Sequence, residues 1–190
     1  MLQEHNKERV ISILAKAFEH NISVNYAIFP GEKKQQRIRD LIDYSYEIAK
    51  IKGEILINSS FSAAAIFTYS DKKVNSFRQF FLDLKLIYKV IGFKRAKKLA
   101  RRSELLRSFR PKTSYIYLGY IGVDPLLAQK GEGTAILKQV MAKAEDLKIP
   151  IYLETSMQEN LPFYKKHGFE VYHQENVNES GYITYFIRKA

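Results

Sequence analysis

The 190-residue sequence contains no cysteine. Its absence excludes disulfides, thiolate metal sites and a cysteine nucleophile, and it suits a reducing compartment. Long hydrophobic runs are missing too, since the most apolar short stretch, from Ala63 to Phe67, is far too brief to cross a bilayer. The first ten residues, MLQEHNKERV, are charged and lack the apolar segment of a signal peptide. We therefore expect a cytoplasmic protein.

The composition, 46% hydrophobic and 27% charged residues, is that of an ordinary folded protein. A chain of this length suits one domain with a single core. The net charge of +11 is unevenly placed, because the segment from Lys72 to Lys112 has 14 Lys and Arg against Asp83 and Glu104. Such a local basic block indicates an anionic partner, with a solvated helix face as the alternative interpretation.

The hydrophobic periodicity predicts closely alternating helices and strands, which argues against two separable domains. Helical spacing covers residues 4–18, 38–49 (ending near Gly53), 75–109, 131–147 and 161–167. Alternating or β-branched runs predict strands at 54–58, 63–69, 115–123, 151–155, 169–173 and 182–188, the first two as an antiparallel hairpin.

Aromatic residues recur at helical spacing within the basic segment. The stripe consists of Phe77, Phe80, Phe81, Leu84, Ile87, Tyr88 and Ile91, and this spacing predicts that the aromatic rings are buried. Proteins that stack bases on aromatic side chains need exposed rings. Nucleic-acid binding along the basic helices is therefore an alternative function, and one that we do not expect.

The most informative stretch runs from Ile121 through Pro125 to Thr134. A strand ends, the chain turns, and a loop with Gly131 and Gly133 enters an amphipathic helix. Glycines allow close approach of the backbone to a ligand, and the N–H groups at a helix start attract an anion such as a pyrophosphate. The pattern is neither a P-loop, which needs Gly-Lys-Ser/Thr, nor a dinucleotide fingerprint, which needs a third glycine at Ile136. A plain structural turn remains the alternative.

A second segment, Asn160-Leu161-Pro162-Phe163-Tyr164-Lys165-Lys166-His167-Gly168-Phe169, follows one predicted strand and precedes another. Together the two segments resemble the GNAT N-acetyltransferase superfamily. That family has Gln/Arg-x-x-Gly-x-Gly/Ala before a helix, then a strand, Asn, a short helix with Tyr, and Gly-Phe. The resemblance is good from Tyr115 to Tyr172. The family's Gln or Arg is Ala128 here, with Gln129 one place later.

The resemblance implies an α+β fold with a mixed, mostly antiparallel central sheet, flanking helices and a splayed central strand pair. It implies a single acyltransferase domain over 1–190, in which 75–109 is a basic helical insertion. The implied function is transfer of an acetyl group from acetyl-CoA to a primary amine by direct attack, without a metal. A small molecule or a peptide supplies the amine, an oligomer is possible, and no membrane partner is expected. A non-catalytic acyl-CoA sensor is a further alternative.

The same resemblance assigns cofactor contacts. Backbone groups of Ile121 and Val123 would pair with the pantetheine arm and polarise the thioester carbonyl, while their side chains lie in the core. Asn160 would hold the arm, or else cap a helix. Amides of the loop would wrap the pyrophosphate, with the Glu132 carboxylate turned to solvent; this loop comprises Gln129, Lys130, Gly131, Glu132, Gly133 and Thr134.

Two residues are implied to move protons. Tyr164 matches the family's general acid, since a phenol stays protonated at neutral pH, although it could be a packing residue only. Glu154, near the end of a strand flanking the cofactor cleft, is the candidate base, with a structural ion pair to Lys or Arg as the alternative. His167 and His173 show no metal-ligand spacing and are interpreted as surface or packing residues.

The basic insertion is predicted to flank the acceptor entrance. Its charge would favour an acidic or carboxylate-bearing substrate, or the CoA phosphates. The side chains expected to contribute are Lys97, Lys98, Arg101 and Arg102. The sequence does not identify the acceptor.

Overall fold

The architecture is a six-stranded sheet with helices on both faces. It is taken from a computed structural model that describes residues 2–72, 76–127, 131–176 and 181–190. The strands lie in the order β1-β2-β3-β4-β6-β5, and neighbours are antiparallel except for the parallel pair β3–β4. Their bounds are β1 Gly53–Ile57, β2 Ala63–Tyr69, β3 Ile116–Val123, β4 Ile151–Thr155, β5 Glu170–Asn176 and β6 Ile183–Lys189. The predicted α+β fold is confirmed.

Seven α-helices lie within the described ranges. Their bounds are α1 Leu2–Ala17, α2 Ile22–Ala27, α3 Lys34–Lys52, α4 Ser76–Leu86, α5 Phe93–Ser108, α6 Glu132–Leu147 and α7 Leu161–Lys166, with a π-helical turn over Ile87–Ile91. None of these helices is both long and apolar enough to span a membrane. The periodicity predicted all of them except the six-residue α2.

The core has two layers, one on each face of the sheet. On one face, α6 buries an apolar stripe against β2, β3 and β4, through Ile136, Leu137, Val140 and Ala144. On the other face, α1 and α3 pack on β1 and β2, with Ile13, Leu14 and Ile42 fully buried. The alanines of β2 allow this double coverage because their small side chains are completely buried on both faces.

The central strands β3 and β4 form a fork. They pair only at Ile116–Ile151 and Tyr117–Tyr152, and residues 118–123 of β3 have no pairing with β4. On its other edge β3 is paired with β2 along its length, with a register shift that leaves Gly119 as an extra residue between Leu118 and Tyr120. Such a bulge bends a strand and increases its twist, which helps β3 to turn away from β4. The predicted splayed pair is confirmed.

The predicted burial of the aromatic stripe in the basic segment is wrong. Phe77, Phe80 and Tyr88 are 77%, 61% and 74% exposed. The helix packs on α3 through its opposite side instead, where Val90 is buried, Tyr44 donates a 2.7 Å hydrogen bond to Asp83, and Lys85 pairs with Asp43. The segment thus carries two apolar stripes, and the less aromatic one, Leu82–Leu86–Val90, meets the body of the protein.

Candidate active site

A cavity of about 390 Å³ lies in the fork between β3 and β4. Its walls come from seven parts of the chain: β3, β4, α7, the α1–α2 region, α3, α5 and the start of β6. Ile121 of β3 and Glu154 of β4 line it from the two prongs of the fork, and Tyr164 and Asn160 line it from the segment after β4. The volume lies within the range of small-molecule sites.

Tyr164 is held in this wall by aromatic packing. It is 7% exposed and makes edge-to-face contacts with Phe163 and Phe169, at ring-centroid distances of 5.3 and 5.7 Å. Its hydroxyl has no hydrogen-bond partner among the described residues. Burial raises the pKa of Tyr164 above its ordinary value, so the hydroxyl keeps its proton at neutral pH. The Tyr164 hydroxyl therefore carries a proton and has no acceptor for it within the described residues.

Glu154 is bound by a cation. Nε of Arg110 donates to Oε1 of Glu154 over 2.7 Å, and both side chains are largely buried, at 17% and 13% exposure for Arg110 and Glu154. The Arg110 guanidinium lies over the Tyr117 ring, 3.9 Å from its centroid. The pKa of Tyr117 is raised, mainly because the ring is buried and also because Glu154 is negatively charged. The ion-pair alternative is therefore realised, while Glu154 also lines the cavity, so the two interpretations coexist.

The start of α6 provides the predicted anion-binding geometry. Gly131 precedes the helix with a left-handed φ of 97°, and its carbonyl accepts the first helical hydrogen bond from Ala135 N–H at 2.9 Å. Within the described ranges a Cβ at Gly131 would meet no atom within 4 Å, whereas a Cβ at Gly133 would lie 3.6 Å from Val123 and 3.9 Å from Phe163. The N–H groups of Glu132, Gly133 and Thr134, which have no intrahelical acceptor, thus lie beside an open space bordered by β3 and α7.

The carboxylate of half-buried Glu132 faces the β1–β2 turn, whereas it was predicted to be turned to solvent. Its Oε1 accepts hydrogen bonds from the hydroxyls of Ser60, at 2.8 Å, and Ser62 in the β1–β2 turn. The turn is itself closed by Asn58, whose Oδ1 accepts from the N–H groups of Ser62 and Ala63. These hydrogen bonds hold the Glu132 carboxylate against the β1–β2 turn. Gln129 and Lys130, predicted to wrap the pyrophosphate, lie outside the described residues.

The other predicted cofactor contacts lie along the fork. Ile121 and Val123 are half-buried and pack against the core under α6, as predicted for their side chains. Asn160 is exposed and its side chain does not cap α7; its Nδ2 donates to the Thr155 hydroxyl at 3.4 Å. The capping alternative for Asn160 is thereby removed, and its position in the cavity wall stands.

A second cavity, of about 660 Å³, shares a wall with the first. The shared wall contains Tyr44, Ser45, Ser103, Tyr117, Gly119 and Tyr120. The remaining wall carries four cations, Lys52, Lys72, Arg107 and Arg110. The two cavities are therefore adjacent to each other, between α3, α5 and the sheet.

Helix α5 of the basic insertion lines both cavities, as predicted, but through different residues. Of the four basic side chains expected there only Arg102 lies in a cavity wall, while Lys97, Lys98 and Arg101 lie in neither. Arg102 donates through Nη2 to the Tyr182 hydroxyl and lies over the rings of Tyr26 and Tyr182.

Two buried polar atoms in the fork cavity have no hydrogen-bond partner within the described chain: Nε of Arg102 and the hydroxyl of Thr184. Unpaired buried polar atoms are uncommon and often mark a place where a ligand or water binds. Sequence reasoning missed Thr184, because a single threonine in a strand gives no signal.

The histidines behave as predicted. His167 makes a 2.8 Å hydrogen bond between Nδ1 and the Phe163 carbonyl, and His173 stacks on Phe109 at 4.2 Å. No group of three or more His, Asp or Glu side chains converges in a metal-ligand arrangement within the described ranges.

Comparison with known proteins agrees with this geometry. Residues 43–169 match the model of the acetyltransferase (GNAT) family. The match spans well over half of the chain, from α3 to the start of β5, and includes both prongs of the fork. The chain belongs to the GNAT family and is an acyltransferase with acetyl-CoA as its co-substrate.

Solved structures share the fold. A Corynebacterium glutamicum protein described as histone acetyltransferase HPA2 and related acetyltransferase superposes with a TM-score of 0.70 at 18% identity, over 98% of this chain and 91% of that one. An agmatine N-acetyltransferase variant gives 0.60 at 13% identity, over 98% and 95%. A mosquito protein described as arylalkylamine N-acetyltransferase like 5b gives 0.55 at 12% identity, over 97% and 95%. At these identities the likeness is one of fold.

Proposed function

We propose that the protein transfers an acetyl group from acetyl-CoA to a primary amine by direct attack in the fork cavity. The observation that carries the proposal is the placement of Tyr164 and Glu154 in one cavity wall, with the glycine-bearing start of α6 beside the same fork. The amine N-acetyltransferases that share the fold support an amine acceptor.

The residues divide the proposed chemistry between them. Amides at the start of α6 hold the pyrophosphate of acetyl-CoA, Asn160 and the unpaired edge of β3 hold its arm, and the thioester supplies an activated acetyl group. The neutral amine bonds to the acetyl carbonyl carbon as the carbon–sulfur bond breaks. The sulfur takes a proton from the Tyr164 hydroxyl, and the amine nitrogen gives one to Glu154, directly or through water. Tyr164 then regains a proton from solvent, and Glu154 releases one to it.

The Arg110 ion pair is compatible with the proposed role of Glu154. Arg110 contacts Oε1, and the Tyr117 side chain also hydrogen-bonds to the carboxylate. The proposal assigns the amine, or a water, to the remaining acceptor capacity of the two oxygens. The cation also fixes the carboxylate at one position in the fork, which favours a productive geometry. We expect the amine to be bound in its neutral form or to lose its proton through water.

The test is acetyl transfer to a panel of primary amines, followed by thiol release and by the mass of the product. We expect acetylated amine and free CoA in equal amounts. Binding of acetyl-CoA without product from any amine would support the acyl-CoA sensor instead. Thiol release without acetylated amine would indicate hydrolysis and contradict the proposed acceptor.

A further inference from the structure

The walls of the two adjacent cavities carry an excess of positive charge. Among the described residues of their two walls there are five cations, Lys52, Lys72, Arg102, Arg107 and Arg110, and a single carboxylate, Glu154. Arg110 already binds that carboxylate. An acceptor that is a simple diamine or polyamine would bring further positive charge into this region, and it would find no free carboxylate there.

Lys52 and Arg107 differ from the other three cations because their positive charges have no side-chain partner within the described residues. Lys52 ends α3 and is half-buried, and Arg107 lies in the last turn of α5. Neither makes an ion pair with a carboxylate in the described part of the chain. Burial lowers the pKa of Lys52, and the charges of Arg107 and Arg110 lower it further. Placing like charges together at a half-buried site is costly unless an anion joins them.

Two acidic groups close to this cavity are already engaged, and Asp71, between the lining residues Ser70 and Lys72, is exposed. Asp83 accepts the hydrogen bond from the Tyr44 hydroxyl, and Glu54, whose charge acts on Lys72, is bound by Tyr69 and Lys143. Lys72 lies over the Tyr69 ring. Of the cations in the wall of this cavity, half-buried Lys52 and exposed Arg107 therefore keep no hydrogen bond, ion pair or ring contact within the described chain.

On the basis of the proposed function, we propose that the acceptor is an amine that also carries an anionic group, a carboxylate or a phosphate, and that Lys52 and Arg107 bind this group. The amine then lies across the shared wall, at Glu154. Tyr44, Tyr117 and Tyr120 belong to the walls of both cavities, so the two positions are neighbours. The anion is not a phosphate of CoA, because no residue of α6 or α7 lines the larger cavity.

The experiment compares acceptors that differ only in the anionic group: ornithine with putrescine, tyrosine with tyramine, and phosphoethanolamine with ethanolamine. We expect the wild-type protein to prefer the anionic member of at least one pair by kcat/KM. Arg107→Glu and Lys52→Gln should each lower kcat/KM for that member on the order of 10–100-fold, mainly through KM, because each removes a charge-assisted hydrogen bond. Arg107→Glu should also improve the cationic member of the pair.

The matched control is Arg101→Gln, on the same helix but in neither cavity wall, which should leave the preference unchanged. Acetyl-CoA affinity, measured separately, should be unchanged in every variant. Equal use of both members of each pair by the wild type, with acetyl transfer intact, would overturn the anionic acceptor and leave the proposed function standing. Loss of acetyl-CoA affinity in Arg107→Glu and Lys52→Gln would assign the two cations to CoA and also overturn it. Absence of transfer to every amine would overturn the proposed function itself.

Discussion

Tyr164 has the two properties that a proton donor in this cavity needs. Its hydroxyl has no partner in the described chain, and burial raises its pKa, so the proton is both present and available. The ring is fixed by Phe163 and Phe169, so removing the hydroxyl oxygen leaves the packing intact.

Tyr164→Phe should therefore lower kcat on the order of 10²–10⁴-fold, the usual contribution of a positioned acid. Acetyl-CoA affinity and melting temperature should stay near the wild-type values. The measurement is thiol release under saturating substrates, with a thermal melt of each variant. Tyr172→Phe is the control, since Tyr172 donates to the Phe109 carbonyl and lines neither cavity. Unchanged turnover in Tyr164→Phe would remove its role as the acid.

Glu154 has two candidate roles, as a base and as the partner of Arg110, and one substitution separates them. Glu154→Gln keeps the shape and can still accept a hydrogen bond from Arg110, but it cannot take a proton. If Glu154 accepts the proton, kcat should fall on the order of 10²-fold or more, and the acidic limb of the pH–rate profile should disappear. A lowered melting temperature with normal kcat would instead assign Glu154 to structure alone.

At the residue level, the sequence indicated residues within short motifs but not contacts between residues far apart in the chain. Tyr164 and Glu154 could be identified because each belongs to a recognisable segment. The partners Arg110 and Glu154 are 44 residues apart, and Arg102 and Tyr182 are 80 apart. Nothing in a single sequence indicates such pairs, since they form only when α5 and its C-terminal continuation fold back onto the sheet.

The end of β3 and helix α1 are joined by the buried carboxylate of Asp124. Asp124 follows β3 directly and is 0% exposed; it pairs with Lys16 at 3.0 Å and Arg9 at 3.5 Å, both on α1. Its Oδ1 also accepts from the Leu126 N–H at 3.1 Å. Burial alone would raise the pKa of Asp124, but the hydrogen bond from Lys16 and the other contacts hold it below its usual value. The end of β3 is thereby tied to α1.

Asp124→Asn should lower the free energy of unfolding at neutral pH by about 1–3 kcal/mol, because the two cations of α1 lose their anion. A depressed pKa in the folded state stabilises the protein above the unfolded pKa, and this stabilisation is lost as the pH falls through the folded value. The difference between the two proteins should thus be constant above about pH 5 and shrink below pH 4. Urea unfolding across this range measures it. A pH-independent difference would show that packing, not charge, is responsible.

The sequence predicted whether a segment is a helix or a strand wherever its apolar residues follow a single pattern, as they do in α6 and β4. The helix α2 was missed because it has only six residues, although Asn21 caps it by accepting from the Val24 N–H at 3.1 Å. In α4 and the π-helical turn the sequence offers two apolar stripes, and periodicity cannot show which one is buried. Tertiary contacts with α3 decide that choice.

In the whole molecule, the proposed function gives the fork and the basic helices separate roles. The fork opens the sheet beside the start of α6, where we propose that a cofactor phosphate binds. Helix α5 brings Arg102 and Arg107 into the cavity walls, where we propose that the acceptor binds. The family resemblance predicted the first arrangement from the 115–172 region. For the second, the sequence indicated the basic helix but not which of its side chains face the cavities, since that depends on how α5 packs.

Acetyl-CoA binding at the start of α6 is the central claim, and a thermal melt with and without acetyl-CoA tests it most directly. Saturation at about 100 times Kd should stabilise the wild type by about 2.7 kcal/mol, or roughly 5–11 °C for a chain of this size. The informative variant is Gly133→Val, because its Cβ fits but its methyl groups enter the space beside Val123 and Phe163. Gly131→Val would also strain the left-handed φ of 97°.

The control is Ala142→Val, which adds the same methyl groups at an exposed position of the same helix, about two turns further on. We predict a shift in the wild type and in Ala142→Val, and no shift in a folded Gly133→Val. The absence of any shift in the wild type, or an undiminished shift in Gly133→Val, would contradict the cofactor site described above.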